Sequence, residues 1–188
     1  KARNINNRRL EAYALLNNGD LHRDQGHLDQ AMQLYSEAFE VASSVGQNSL
    51  MLYIMAARGD AYRLLKDVVR SRQTLTEAMD QSETDGLEEP LALCHLAYGA
   101  LLIQEGALDG ADEHLGKALA LLERVGMQRD VGRVQLQLAL LANKRGDREA
   151  VRSHLIRVGE IALRLGTEQF VIAEGAGAVP LLEYVSEL

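Results

Sequence analysis

Five histidines, one cysteine and several paired charges are the side chains of this chain that could do chemistry. The histidines are His22, His27, His95, His114 and His154, and the last two stand forty residues apart. A metal would need ligands within about 2 Å of one ion and a matching third group, and no His-Glu-x-x-His motif occurs. They read as surface or half-buried side chains, with no metal expected. Cys94 adjoins His95, but a nucleophile needs its base on the same face, and neighbours in a helix point about 100° apart. Cys94 therefore reads as core. Gly175-Ala-Gly lacks the lysine and the preceding strand of a phosphate-binding loop. Glu88-Glu89 opens a helix, where the dipole favours negative charge. No acid–base or nucleophile cluster assembles, so the expectation is no enzyme and no cofactor. Two pairs are left over, Asp20 with Arg23 and Asp60 with Arg63. Residues three apart share a helix face and pair for about 0.2–0.5 kcal/mol. They are either solvated salt bridges or hydrogen-bonding groups offered to a partner.

These side chains need a frame. The chain has 188 residues, 20 basic and 27 acidic, with net charge −7. Its apolar fraction of 47% is that of a folded domain. No run of 18 apolar residues is present, so no membrane contact is expected. The negative balance argues against direct nucleic-acid contact by this segment. No signal-peptide pattern is visible, which together with the lone cysteine points to the cytoplasm. The first residue is Lys1, consistent with a piece of a longer protein.

The organisation is periodic. Gly46, Gly86, Gly126 and Gly166 are forty residues apart. Gly19, Gly59, Gly99 and Ala139 keep the same offset, as do Gly26, Lys66, Gly106 and Gly146. Further registers read Ala31, Ser71, Ala111, Val151; Tyr35, Leu75, Leu115, Leu155; and Ala38, Ala78, Ala118, Val158. Residues 7–166 divide into units of about 7–46, 47–86, 87–126 and 127–166. Each unit splits into two helices of about 16–18 residues, with apolar residues at i, i+3, i+4 and no alternation of period two. In the third, Pro90 starts one helix and Gly106 stops it, and Leu108, Ala111, Leu115, Ala118, Leu119 and Leu122 form the stripe of the next. The mid-helix glycines Gly19, Gly59 and Gly99 are expected to allow close crossing of the paired helix, with Ala31 or Ala111 facing them.

The series Gly19, His22, Gly26, Leu28, Ala31, Tyr35, Ala38 and Gly99, Leu102, Gly106, Leu108, Ala111, Leu115, Ala118 resembles the tetratricopeptide repeat. The second unit departs from it at Lys66 and Ser71, and the fourth matches least. The resemblance covers about 160 residues, in units of 40 rather than the family's usual 34. It implies an all-α fold: one domain over 1–188, a right-handed superhelical stack of antiparallel helix pairs, with 167–188 as C-terminal capping helix or helices. Units of this length are similar to those of bacterial transcriptional regulators.

In such stacks the first helix of each unit lines the concave face. The resemblance thus implies partner-binding positions at Tyr13, Asn17, Asp20 and Arg23, at Tyr53, Asp60 and Arg63, and at Leu93, Ala97 and Ile103, with Arg133, Gln137, Leu140 and Asn143 in the fourth unit. The groove is expected to be polar at its N-terminal end and apolar towards the third unit. The family's lysine/asparagine clamp for a terminal carboxylate is unmatched, since Leu16 and Asp20 occupy its first two places. Leu181, Leu182, Val185 and Leu188 are expected to form a short amphipathic helix that caps the fourth unit or folds into the groove. Alternatively the Leu93–Ile103 patch is the interface of a homodimer. The expected function is a non-enzymatic protein-protein interaction module, a scaffold or sensor domain of a larger bacterial regulatory protein, with a protein or peptide partner. A free-standing peptide-binding receptor or adaptor is the alternative.

Overall fold

A computed structural model of the chain describes residues 2–167, 169–181 and 184. Eight long helices follow one another: α1 (Ala2–Asp24), α2 (Leu28–Ser44), α3 (Asn48–Leu64), α4 (Val68–Asp85), α5 (Glu88–Glu105), α6 (Leu108–Val125), α7 (Gln128–Arg145) and α8 (Arg148–Leu165). A single turn, α9 (Gln169–Ile172), and a 3-10 segment (Gly175–Leu181) complete the path. Among the described residues there is no strand.

The turns explain the regular spacing. The glycines at 86, 106, 126, 146 and 166 each close a helix in the left-handed region, which only glycine enters without steric cost. Lys66 stands in the Gly26/Gly106/Gly146 register and is forced to φ 64°. Asp67 and Asp147 then start α4 and α8 by accepting from the amides of Arg70 and Ala150, each at 3.0 Å.

Even-numbered helices bury one stripe. In α6 it is Ala111, Leu115, Ala118 and Leu122, and in α8 Val151, Leu155, Val158 and Ile161. The inner helices α5 and α7 are buried on most sides. The packing explains the difference: each odd helix pairs with the even helix that follows it, and α3 also packs on α1 and α5, and α5 on α7. Odd helices that touch one another while even ones are held apart make the stack curve, with the odd helices inside. The molecule is an α-solenoid of helix pairs.

The mid-helix glycines are sockets. A Cβ on Gly19 would lie 2.5 Å from Tyr35 Cε1, on Gly59 2.4 Å from Leu75 Cδ2, and on Gly99 2.7 Å from Leu115 Cγ. The side chain that fills each socket is the large Tyr35/Leu75/Leu115, while the alanine register lies close by, with the Ala111 carbonyl oxygen 3.4 Å from the Gly99 Cβ position. The larger residue lies one turn further along the paired helix, where it fills the gap the glycine leaves. Ser71, in the alanine register, donates its hydroxyl to the Gly59 carbonyl at 2.8 Å, so the departure from alanine adds a clamp between α3 and α4.

The C-terminal segment turns back onto the inner face. α9 and the 3-10 segment pack on α7, and α9 also reaches α1. Phe170 is fully buried and fills the space over Gly132, whose Cβ would lie 2.7 Å from the Phe170 ring. Leu181 and Tyr184 are buried in the same core. Of the residues of the expected amphipathic helix, Leu181 ends the 3-10 segment, and Leu182, Val185 and Leu188 lie outside the described residues.

Candidate binding cavity on the concave face

Each inner helix gives one face to a common cavity of about 400 Å³. From α1 come Tyr13, Leu16, Asn17, Asp20 and Arg23, and from α3 Ser49, Tyr53, Ala56, Ala57 and Asp60. Glu89, Leu93 and Ala97 come from α5, and Met127, Arg129, Asp130 and Arg133 from α7. The spacing within each set follows the helical period of three to four residues. Burial sorts them by depth. Arg23, Asp60 and Arg133 are nearly inaccessible and form the floor, while Tyr13, Asn17, Ser49 and Glu89 are exposed at the rim.

The floor is a connected ion network. Asp60 accepts from Arg63 Nε at 2.7 Å and from Arg133 Nη2 at 2.8 Å, and Arg23 Nη1 lies 4.0 Å away. Arg23 in turn binds Asp20 at 3.1 Å and Asp24 at 2.9 Å, and Arg129 reaches the second oxygen of Asp24. Arg133 also meets Asp130 at 3.3 Å, and Arg63 meets both oxygens of Glu174 at 3.3 and 3.4 Å. Tyr35 donates to Asp20 at 2.8 Å, which ties the network to the helix seam.

Several of these pairs join residues distant in sequence. Asp24 and Arg129 are 105 positions apart, Arg63 and Glu174 are 111, and Asp60 and Arg133 are 73. The curvature of the stack brings the two ends together across the inner face. Burial opposes the charge of Asp60, but Arg63, Arg133 and Arg23 outweigh it and hold the carboxyl well below its ordinary range. Burial likewise opposes the Arg23 charge, and Asp20, Tyr35, Asp60 and Asp24 overcome it. Both side chains stay ionised in the interior because they hold each other there.

Nine of the sequence-derived positions line this cavity: Tyr13, Asn17, Asp20, Arg23, Tyr53, Asp60, Leu93, Ala97 and Arg133. Arg63, Ile103, Gln137, Leu140 and Asn143 are not in its lining. Arg63 lies behind the floor between Asp60 and Glu174. Ile103 is packed into the core of α5, α6 and α7, because the helix has turned it away from the opening. Asp20–Arg23 and Asp60–Arg63 are correspondingly buried pairs rather than solvated ones. Along the Leu93–Ile103 register Ala97 and Ile103 are buried within the chain, and Leu93 is half-buried at the cavity wall. Sequence reasoning missed Glu89, Met127, Arg129, Asp130 and Glu174. The Asp-x-x-Arg spacing of Asp130–Arg133 repeats that of the other two pairs and could have flagged it.

Away from the cavity, His95 and His114 meet between α5 and α6 with their Nδ1 atoms 2.9 Å apart. Burial pushes His95 down to about 4, and His114 beside it adds to the effect. One unit later the same register holds Gln135 and His154, bonded at 2.8 Å. Burial pushes the Cys94 thiol up to about 12, which leaves it protonated and inert. Among the described residues no group of three metal-ligating side chains assembles. Nor is any helix there long and apolar enough to cross a membrane.

No protein-family model matches the chain, and no curated protein matches it. Solved structures do. A Rap protein complexed with Competence and Sporulation Factor superposes with a TM-score of 0.76 at 16% identity, covering 95% of this chain and 50% of that one. BtubC (BKLC) from P. vanneervenii superposes with a TM-score of 0.64 at 18% identity, covering 99% of this chain and 87% of that one. At such identities the likeness is one of fold, the helical-repeat solenoid. The chain spans half the length of the Rap protein it matches.

Proposed function

We propose that this chain is a non-enzymatic helical-repeat module that docks a protein or peptide partner in its concave cavity. The observation that carries this reading is the cavity itself: four inner helices converge on about 400 Å³ of space with an ionic floor, apolar walls and a tyrosine-bearing rim. Tyrosines at an opening give large contact area with a polar tip, a mix suited to a partner that is part backbone and part side chain. The Rap protein of the same fold was solved complexed with Competence and Sporulation Factor, which supports a binding role for this architecture. On this reading the module is the sensing or scaffolding part of a larger bacterial regulatory protein, working in the cytoplasm and needing no cofactor. A free-standing adaptor is the second reading, favoured by the near end-to-end match to BtubC.

The test is selection of a random heptapeptide display library on the purified chain, followed by binding to rim variants. Asn17→Trp and Ser49→Trp narrow the mouth at exposed positions, and should weaken the selected peptides by about tenfold or more. Arg157→Trp, exposed on α8, should change nothing. Peptides that ignore the rim variants, or a library that yields no binder, would overturn the reading.

A further inference from the structure

We infer that the cavity takes a basic side chain, lysine or arginine, that a protein or peptide partner inserts end-on. This rests on the docking reading above and adds the chemistry of the guest. The first support is shape. Asp60–Arg133 and Asp24–Arg129 join distant helices across the floor, and Arg63–Glu174 closes the stack behind it. A chain running straight through would have to break them, so the open direction is from the rim inward.

The second support is the hydrogen-bonding capacity left over. The more exposed Arg129 commits Nη2 to Asp24, while the two buried guanidinium groups are engaged, Arg23 on Asp20 and Asp24 and Arg133 on Asp60 and Asp130. The carboxylates are not. Asp20 uses Oδ1 for both Tyr35 and Arg23, Asp130 uses Oδ1 for Arg133, and Glu89 uses Oε2 for Tyr53. Among the described residues the second oxygen of each has no protein donor within hydrogen-bond distance. The lining carries four acids (Asp20, Asp60, Glu89, Asp130) against three arginines. The balance of the lining favours a guest that brings donors and positive charge, and only Arg129, 40% exposed with Nη2 on Asp24, keeps donors towards the opening.

The third support is the wall. Leu16, Leu93, Ala97 and Met127 stand around the floor, a lining that suits the methylene stem of lysine or arginine while its head reaches the carboxylates. Tyr13 at the rim already carries the Arg9 guanidinium 5.9 Å over its ring, so a cation is accommodated against an aromatic at the entrance. A free amino terminus is the poorer guest, since the carbonyl beside it would also need donors.

The experiment uses the whole chain and labelled heptapeptide pools, N-acetylated and randomised except for a central Arg, Lys, Gln or Glu, with a fifth Gln pool left free at its amino terminus. The expected result is binding of the Arg and Lys pools about tenfold tighter than the acetylated Gln pool, with the Glu pool weakest. Glu89→Gln, at the exposed rim, should reduce that preference, and circular dichroism should show unchanged helicity. Equal binding of all pools, or preference for Glu, overturns the basic guest while the docking reading stands. A free-amino Gln pool that matches the Arg pool overturns the side-chain assignment in favour of a chain terminus. Failure of every pool, alongside failure of the display selection, removes the docking reading and this inference together.

Discussion

Along the seam between paired helices, Gly19, Gly59 and Gly99 each receive a large side chain from the next helix, and the contact recurs every forty residues with only the guest changing. In the bore that the same helices surround, Asp60 is held by Arg63 of its own helix, by Arg133 from two hairpins away and by Arg23 from the hairpin before. The seam is apolar, local and repeated. The bore is ionic and long-range, and its Asp–Arg pair recurs only once in register, at 20/23 and 60/63, before Ala100 and Ile103 take those places one unit later. The seam makes the hairpins, and the bore is where the curvature of the whole stack is read out by side chains. A repeat protein can change its bore without disturbing its seam, because the two use different faces of the same helices.

The most damaging single change should therefore lie in the bore. Asp60→Ala leaves three buried guanidinium groups without their shared carboxylate, and should cost about 3–5 kcal/mol in urea denaturation. The same carboxylate sets an acid limit. Its pKa is held below the unfolded value of about 3.9, so its contribution is complete above that pH and declines as the pH falls further. Asp60→Ala should flatten that part of the stability profile. A loss under about 1 kcal/mol would place Asp60 with ordinary surface ion pairs.

A seam change should come next. Gly59→Ala would normally stabilise a helix by about 1 kcal/mol. Here the added methyl meets Leu75, and overpacking of this kind should cost about 1–3 kcal/mol instead. Gly116→Ala on the outer helix α6 has open space around it and should be neutral to stabilising. If both glycines respond alike, the socket account of the seam fails.

The histidine pair gives a smaller, pH-dependent contrast. Folding depresses the His95 pKa to about 4, so its contribution is complete above the unfolded value of about 6.5 and is lost as the pH falls towards 4. His95→Gln copies the Gln135–His154 arrangement of the next unit. It should remove a melting-temperature drop of about a few degrees between pH 6.5 and 4.5. The smallest effect is expected at Lys66. Lys66→Gly restores the register residue at a left-handed turn, and should raise stability by about 1 kcal/mol.

The seam was legible in the sequence because it is local. A glycine and its guest lie sixteen residues apart in one hairpin, and a fixed period exposes both. The spacing put Ala111 opposite Gly99 but did not show that Leu115 fills the socket, because spacing gives the face and not the depth to which a side chain reaches. Most positions lining the cavity were legible through the resemblance, which says which helix of each pair faces inward. The network was not. Pairing Arg63 with Glu174, or Arg129 with Asp24, depends on how far the stack curves, and small rotations accumulated over four hairpins leave no mark on any single unit. Glu174 was hidden for a further reason. It belongs to the non-repeating tail, and Gly132, which admits Phe170 and so seats that tail, stands outside the glycine registers that the period revealed.

A double-mutant cycle between Asp60 and Arg133 tests the central claim most directly, that curvature closes the bore with paired side chains 73 residues apart. Asp60→Asn, Arg133→Gln and the double variant are compared by urea denaturation. The account expects a coupling of about 0.5–3 kcal/mol, with the double variant less damaged than the two single losses added together. Losses that simply add, within about 0.3 kcal/mol, would show that the two residues do not meet and that the stack does not close on itself as described.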